Sequence, residues 1–71
     1  MERNDHKNNR EVLKEQILII RDSGLTNMFD YRAVQHLANE RDFFELVCFI
    51  EDQPNQYSKF IMSGDENLLP E

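Results

Sequence analysis

The sequence predicts an all-α fold, a small bundle of three to four helices, and three observations lead to this class. Apolar residues recur every three or four positions through most of the chain, as they do on the buried face of an α-helix. Gly24 and Gly64 each stand directly after such a run, where glycine can close a helix, and Pro54 stands where a helix can begin. We therefore expect one helical domain over residues 10–64, between polar termini at 1–9 and 65–71 that are expected to be disordered.

The charge balance restricts the partners of the chain. With 14 acidic and 8 basic residues the formal net charge is −6, which argues against non-specific binding to nucleic acid and to anionic membranes. No run approaches the roughly 18 apolar residues that a membrane-spanning helix needs. Cys48 is the single cysteine and stands within an apolar run, so the sequence predicts a buried, reduced thiol and a cytoplasmic location.

The first helix is predicted from about residue 10 to residue 23. Leu18 projects from the side opposite its apolar face, by the rule of 100° per residue, and therefore needs another partner. The apolar face itself consists of residues at helical spacing: Val12, Leu13, Ile17 and Ile20.

A corner follows this helix. Gly24 is expected to take the left-handed conformation that closes the helix, with Leu25 touching the last turn as in a Schellman motif. Asp30 is then a good N-cap for a second helix, and Phe29 before it is placed to pack on Val34 as a hydrophobic staple. Because so few residues separate the two caps, the helices must fold back on each other or cross steeply.

The second helix is predicted from about residue 31 to residue 40, with a narrow face of small apolar residues that lets a neighbouring helix approach closely. Asp42 with Glu45 three positions later has the spacing of a capping box, so the third helix is expected to start there. Seven of the eight positions from 43 to 50 are apolar, which indicates the central helix of the fold.

Pro54 should stop or kink the third helix just before it, because proline cannot donate an N–H and clashes with the preceding turn. One interpretation is a separate fourth helix with Pro54 in its first turn and Gly64 at its end. The alternative is one continuous kinked helix. The apolar positions of this last segment are Tyr57, Phe60 and Ile61.

The residues that could take part in metal binding or catalysis have simpler explanations. His6 and His36 each lack a second His or Cys one turn away, so no metal site is predicted. A nucleophile–base pair of Cys48 with His36 would lack the Gly-rich turn of an oxyanion hole. Glu51 and Asp52 are adjacent, point about 100° apart on a helix and cannot share a proton. We therefore expect neither an enzyme nor a cofactor.

Three arginines, Arg21, Arg32 and Arg41, fall at or near predicted helix ends. A helix-turn-helix interpretation would use them for phosphate contacts, which makes a small DNA-binding transcriptional regulator the alternative function. Acidic residues stand near each of them in the sequence, and intramolecular ion pairs are therefore favoured.

Leu18, Phe49 and Met62 fall outside the simplest apolar stripes and are the candidate interface residues. The alternative is that a compact bundle wraps them. Because apolar side chains outnumber the faces of so small a bundle, we expect a homodimer with the first and third helices at its interface.

The string IRDSGLTNMFD at residues 20–30, with the pattern VQ, LA, ELV and FIE after it, resembles a family of short uncharacterised proteins. That family, a domain of unknown function, occurs in Gram-positive bacteria and in their phages and mobile elements. The resemblance covers residues 12–64 and departs at Arg41-Asp42, where the family pattern often has Gly shortly before the aromatic pair. It implies a viral or mobile-element setting, in which a small acidic protein acts as an adaptor or as an inhibitor of a host protein.

Overall fold

The computed structural model describes residues 9–70, and the predicted all-α class is confirmed. No β-strand occurs in that range, and none of its helices has the length and apolar character needed to cross a bilayer. The segment expected to be disordered at 1–9 lies outside the described residues except for Asn9, which begins the first helix. The elements in chain order are α1 (Asn9–Ser23), α2 (Tyr31–Glu40), α3 (Phe44–Asp52), α4 (Pro54–Ser63) and a 3₁₀ helix (Glu66–Leu68).

One hydrophobic core joins these elements. The helix α3 contacts each of the other three helices, as expected of the central helix, and α2 lies most closely against it. That closeness follows from the small residues predicted on α2, since Val34 and Ala38 are both fully buried. The buried apolar side chains of the described residues are Leu13, Ile17, Ile20, Val34, Ala38, Leu46, Phe49, Ile50, Tyr57 and Leu69.

The helices α3 and α4 are separate, which resolves the alternative of one kinked helix. Gln53 ends α3 and precedes α4 with a φ of −138° and a ψ of 61°, far from helical values. Pro54 occupies the first turn of α4, where its missing N–H costs nothing. Gly64 closes α4 in the left-handed conformation, and its N–H donates to the carbonyl oxygen of Phe60 at 2.7 Å.

The predicted disorder of residues 65–71 is wrong for the described part, residues 65–70. Leu69 is only 1% exposed and belongs to the core. Two side chains of α1 hold this segment: Arg10 Nε donates to the carbonyl oxygen of Leu69 at 3.2 Å, and Lys14 Nζ lies 2.6 Å from Glu66 Oε2. Burial of one large apolar side chain, together with these two contacts, offsets the entropy of ordering a short segment.

The first corner confirms the role of Gly24, which has a φ of 67°, but not the role of Leu25. The side chain of Leu25 is exposed and makes no core contact. The hydroxyl of Ser23 accepts the N–H of Leu25 at 3.3 Å and donates to the carbonyl oxygen of Ile20 at 2.6 Å. Because this hydroxyl bridges the two backbone groups, the helix end does not need the predicted apolar contact of a Schellman motif.

The start of α2 follows the sequence prediction in one respect and departs from it in another. Asp30 is the N-cap, and its carboxylate accepts the N–H of Ala33 at 3.3 Å. Phe29 is exposed, so the predicted staple to Val34 is wrong. Met28, one residue earlier, packs against the core instead.

The capping box predicted at Asp42 is also wrong. Asp42 has a φ of 61°, in the left-handed region, and α3 begins only after Phe43, which makes no side-chain cap. The N–H of Asp42 donates to the carbonyl oxygen of Asn39 at 3.2 Å, and that of Phe43 donates to Ala38 at 2.8 Å. These two bonds are the Schellman closure of α2, with an aspartate at the position that glycine favours. The second corner therefore ends α2, and the Asp42 side chain does not cap α3.

Candidate protein-binding site

The structure separates the three predicted interface residues. Phe49 is 5% exposed and belongs to the core, so the expectation of an accessible side chain at this position is wrong. The reason is that α3 is covered by helices on several sides, and Phe49 lies on a covered side. Leu18 on α1 is half-buried, and Met62 on α4 is 75% exposed, so both remain accessible.

An apolar groove, here called the α1–α4 groove, lies beside Leu18 and has a volume of about 150 Å³. Arg21 is the one charged residue among those that line it, and its Nη2 atom lies 3.5 Å from Asp22 Oδ1. The groove therefore offers an apolar surface with little net charge. Its lining residues are Ile17, Leu18, Arg21, Met28, Phe60, Ile61 and Gly64.

Tyr57 fixes one wall of the α1–α4 groove. Its side chain is fully buried, and its hydroxyl donates to the carbonyl oxygen of Met28 at 2.7 Å. Burial raises the pKa of the Tyr57 hydroxyl above its ordinary value, so the group stays a protonated donor. Since Met28 lines the groove, this bond ties the loop of the first corner to α4. The sequence showed Tyr57 only as an apolar position and gave no sign of its partner.

A second groove, here called the α3 groove, has a volume of about 410 Å³. Phe44 is 58% exposed at its edge, and Cys48, one helical turn later, is also exposed. The prediction of a buried thiol is therefore wrong, because Cys48 lies on an edge of α3 that the other helices leave uncovered. The lining residues of the α3 groove are Asn9, Leu13, Phe44, Glu45, Cys48, Phe49, Asp52, Gln53 and Pro70.

Gln16 positions one carboxylate of the α3 groove. Its Nε2 atom donates to Glu45 Oε1 at 2.9 Å, and its Oε1 atom accepts the N–H of Leu46 at 3.1 Å. The hydrogen bond from Gln16 Nε2 and one from the backbone N–H of Glu45 itself lower the pKa of the Glu45 carboxyl. The carboxyl therefore stays ionised at neutral pH. Gln16 is buried within the apolar face of α1, and this polar residue at an apolar position is the signal that could have revealed the contact.

A polar network lies on another side of α3. Gln35 Nε2 donates to Glu51 Oε1 at 2.9 Å and to the carbonyl oxygen of Val47 at 3.1 Å. Arg32 Nη1 lies 3.3 Å from Glu51 Oε1. The hydrogen bond from Gln35, followed by the contact with Arg32, lowers the pKa of the Glu51 carboxyl. An ion pair is thus observed for Arg21 with Asp22 and for Arg32, whose partner Glu51 is distant in the sequence. The ion pair expected for Arg41 is not found with any of the described residues.

The described residues hold no group of three or more His, Cys, Asp or Glu side chains arranged for a metal ion. His36 lies 3.2 Å from Glu40 in an exposed pair on α2. His6 lies outside the described residues.

Comparison with known proteins gives one result. A family model described as "Domain of unknown function (DUF5049)" matches residues 9–65, which include all four α-helices and stop before the 3₁₀ helix. No curated protein and no solved structure matches the chain. The match confirms the resemblance at the level of a domain family of unknown function.

Proposed function

Since the chain belongs to the DUF5049 family, we propose that it is a small protein-binding module that works as a homodimer and contacts a further protein. In this proposal the protein is encoded by a phage or mobile element and acts in the cytoplasm as an adaptor or an inhibitor of a host protein. The IRDSGLTNMFD string supports that setting through its resemblance to short proteins of such elements.

The observation that carries the proposal is the α1–α4 groove, so the proposed interface lies on α1 and α4 instead of on the first and third helices that the sequence indicated. Leu18, Phe60 and Ile61 remain half-buried there, and the single charged lining residue is paired with an acid. Full burial of a large apolar side chain contributes roughly 1.5–3 kcal/mol, so covering the remaining surface of each of these half-buried side chains contributes about half of that. The sum over several side chains is a sizeable part of the stability of so small a domain. Because the groove carries little charge, a second copy can approach it with less of the repulsion that a net charge of −6 causes elsewhere.

Neighbouring residues on α1 provide a matched test. Leu18 lines the α1–α4 groove, whereas Ile19 is half exposed and does not. We expect sedimentation equilibrium to show a dimer for the wild type and for Ile19→Glu, but a monomer for Leu18→Glu. Circular dichroism of all three proteins checks that each is folded.

A wild-type monomer at about 100 μM would exclude a dimer of micromolar affinity. Equal association of Leu18→Glu and the wild type would place the dimer contact elsewhere and remove the α1–α4 groove from the proposal.

The ion pairs of the basic residues do not favour the alternative function of DNA binding. Lys14, Arg21 and Arg32 each lie within ion-pair distance of an acidic side chain, so these cations form no free basic face. Phosphate contacts would have to displace these pairs on a chain of net charge −6.

A further inference from the structure

We infer that the α3 groove binds a basic amphipathic helix of another protein, with two Lys or Arg residues two turns apart and apolar side chains between them. This inference rests on the proposed function of protein binding and names the chemistry of the partner. It concerns a surface distinct from the α1–α4 groove, so the two proposals can fail separately.

The spacing of the carboxylates defines the length of the site. Glu45 and Asp52 both line the groove and stand seven residues apart on α3, which corresponds to about 10 Å along the helix axis. Seven residues make nearly two full turns, so both carboxylates lie on the same side of α3. Two cations on a partner helix with the same spacing would face them.

The apolar part of the site lies along the same edge. Phe44 and Cys48 are one turn apart and exposed, and Leu13 and Phe49 form a buried floor beside them. Phe44 is more than half exposed, so most of its apolar surface remains to be covered by a partner. Such an aromatic side chain beside charged residues is typical of an anchoring contact in protein interfaces.

Charge selects the partner. Among the described residues that line the groove, two are carboxylates and none is Lys, Arg or His. The hydrogen bond from Gln16 holds Glu45 in place as an ionised acceptor. A second copy of the chain would bring further negative charge to this edge, whereas a basic segment would be attracted to it from a distance.

The experiment uses a labelled, alanine-rich helical peptide of about 15 residues as the probe. It carries two lysines two turns apart and two leucines between them on the same face. A matched peptide has glutamates in place of the lysines. Fluorescence anisotropy with the full chain should give a dissociation constant on the order of 10 μM for the lysine peptide, weakening with salt, and no binding of the glutamate peptide.

Variants of the protein locate the binding. Phe44→Ser should weaken the lysine peptide about tenfold, whereas Phe29→Ser, a change of an equally exposed phenylalanine outside the groove, should leave binding unchanged. Glu45→Gln combined with Asp52→Asn should weaken it about fivefold. Asp22→Asn combined with Glu40→Gln removes the same net charge outside the groove and should have little effect.

Three outcomes would overturn the inference: no binding of the lysine peptide at about 1 mM, equal binding of the glutamate peptide, or equal effects of Phe44→Ser and Phe29→Ser. A dimer in sedimentation together with no peptide binding would contradict only the inference about the α3 groove. A monomer that binds the lysine peptide through Phe44 would contradict only the proposed homodimer.

Discussion

The two corners of the bundle each turn through one left-handed residue but differ in chemistry. The first corner, residues 23–30, turns through Gly24 with a φ of 67°, and the second, residues 41–43, turns through Asp42 with a φ of 61°. A left-handed residue thus ends both α1 and α2. Glycine adopts this conformation without strain, whereas aspartate is one of the few other residues that tolerate it.

The corners also differ in where their caps come from. In the first corner, the side chains of Ser23, Asn27 and Asp30 each accept a backbone N–H within three residues of themselves. In the second corner the N–H of Leu46 is accepted by Gln16, which lies 30 positions earlier in the chain. A corner with local caps can therefore be inferred from its own sequence, whereas a corner capped from another helix cannot.

The largest expected effect tests the distant cap. Gln16→Ala should lower the free energy of unfolding by about 2 kcal/mol, because it removes two hydrogen bonds and leaves the N–H of Leu46 without its cap. Thermal and urea unfolding would measure the loss. Gln53→Ala is the matched control, since Gln53 is exposed and makes no side-chain cap, and it should have little effect. Equal stability of the two variants would show that the second corner does not depend on α1.

Gln16→Ala should also change how the free energy of unfolding depends on pH. The folded-state pKa of Glu45 is lowered below its ordinary 4.5, so its contribution to stability is present above that value and is lost as the pH falls through the folded-state pKa. Unfolding measured at neutral pH and below 4.5 should therefore show a smaller acid-induced loss for Gln16→Ala than for the wild type. Parallel pH profiles would contradict the assigned hydrogen bond.

The next effect concerns the hydrogen bond from Tyr57 to Met28, which ties the first corner to α4. Tyr57→Phe should lower the free energy of unfolding by about 1.5 kcal/mol, because the carbonyl oxygen of Met28 loses a buried donor. Tyr31→Phe is the control, since Tyr31 is only half-buried, and should cost less. Hydrogen exchange should show faster opening of residues 24–29 in Tyr57→Phe alone. Unchanged exchange there would mean that local caps suffice to hold the first corner.

The smallest effects are of opposite sign at the two corners. Gly24→Ala should destabilise the protein by about 1 kcal/mol, because alanine is strained at a φ of 67° although its Cβ would meet no other atom. Asp42→Gly should stabilise it by about 0.5 kcal/mol, because it relieves the same strain. Thermal melts of both variants decide the point. Changes of the same sign would contradict the equivalence of the two left-handed positions.

The candidate site was only partly predictable. Of the predicted interface residues, Met62 is exposed, Leu18 is half-buried and Phe49 is buried, whereas Phe44, which the sequence did not single out, is exposed. Helical periodicity could not separate the two phenylalanines, because nearly every position around α3 is apolar. Which of its sides stays uncovered depends on where α1, α2 and α4 pack.

The sequence by itself determined the helical class, the left-handed turn at Gly24, the N-cap at Asp30 and the break at Pro54. Each of these depends on the backbone preferences of one residue or on a hydrogen bond across a few positions, and such information is local. Only the tertiary structure decided the cap from Gln16, the tie from Tyr57 to Met28 and the burial of Leu69. These contacts join residues about 30 to 60 positions apart, and they form only after hydrophobic burial has brought the helices together.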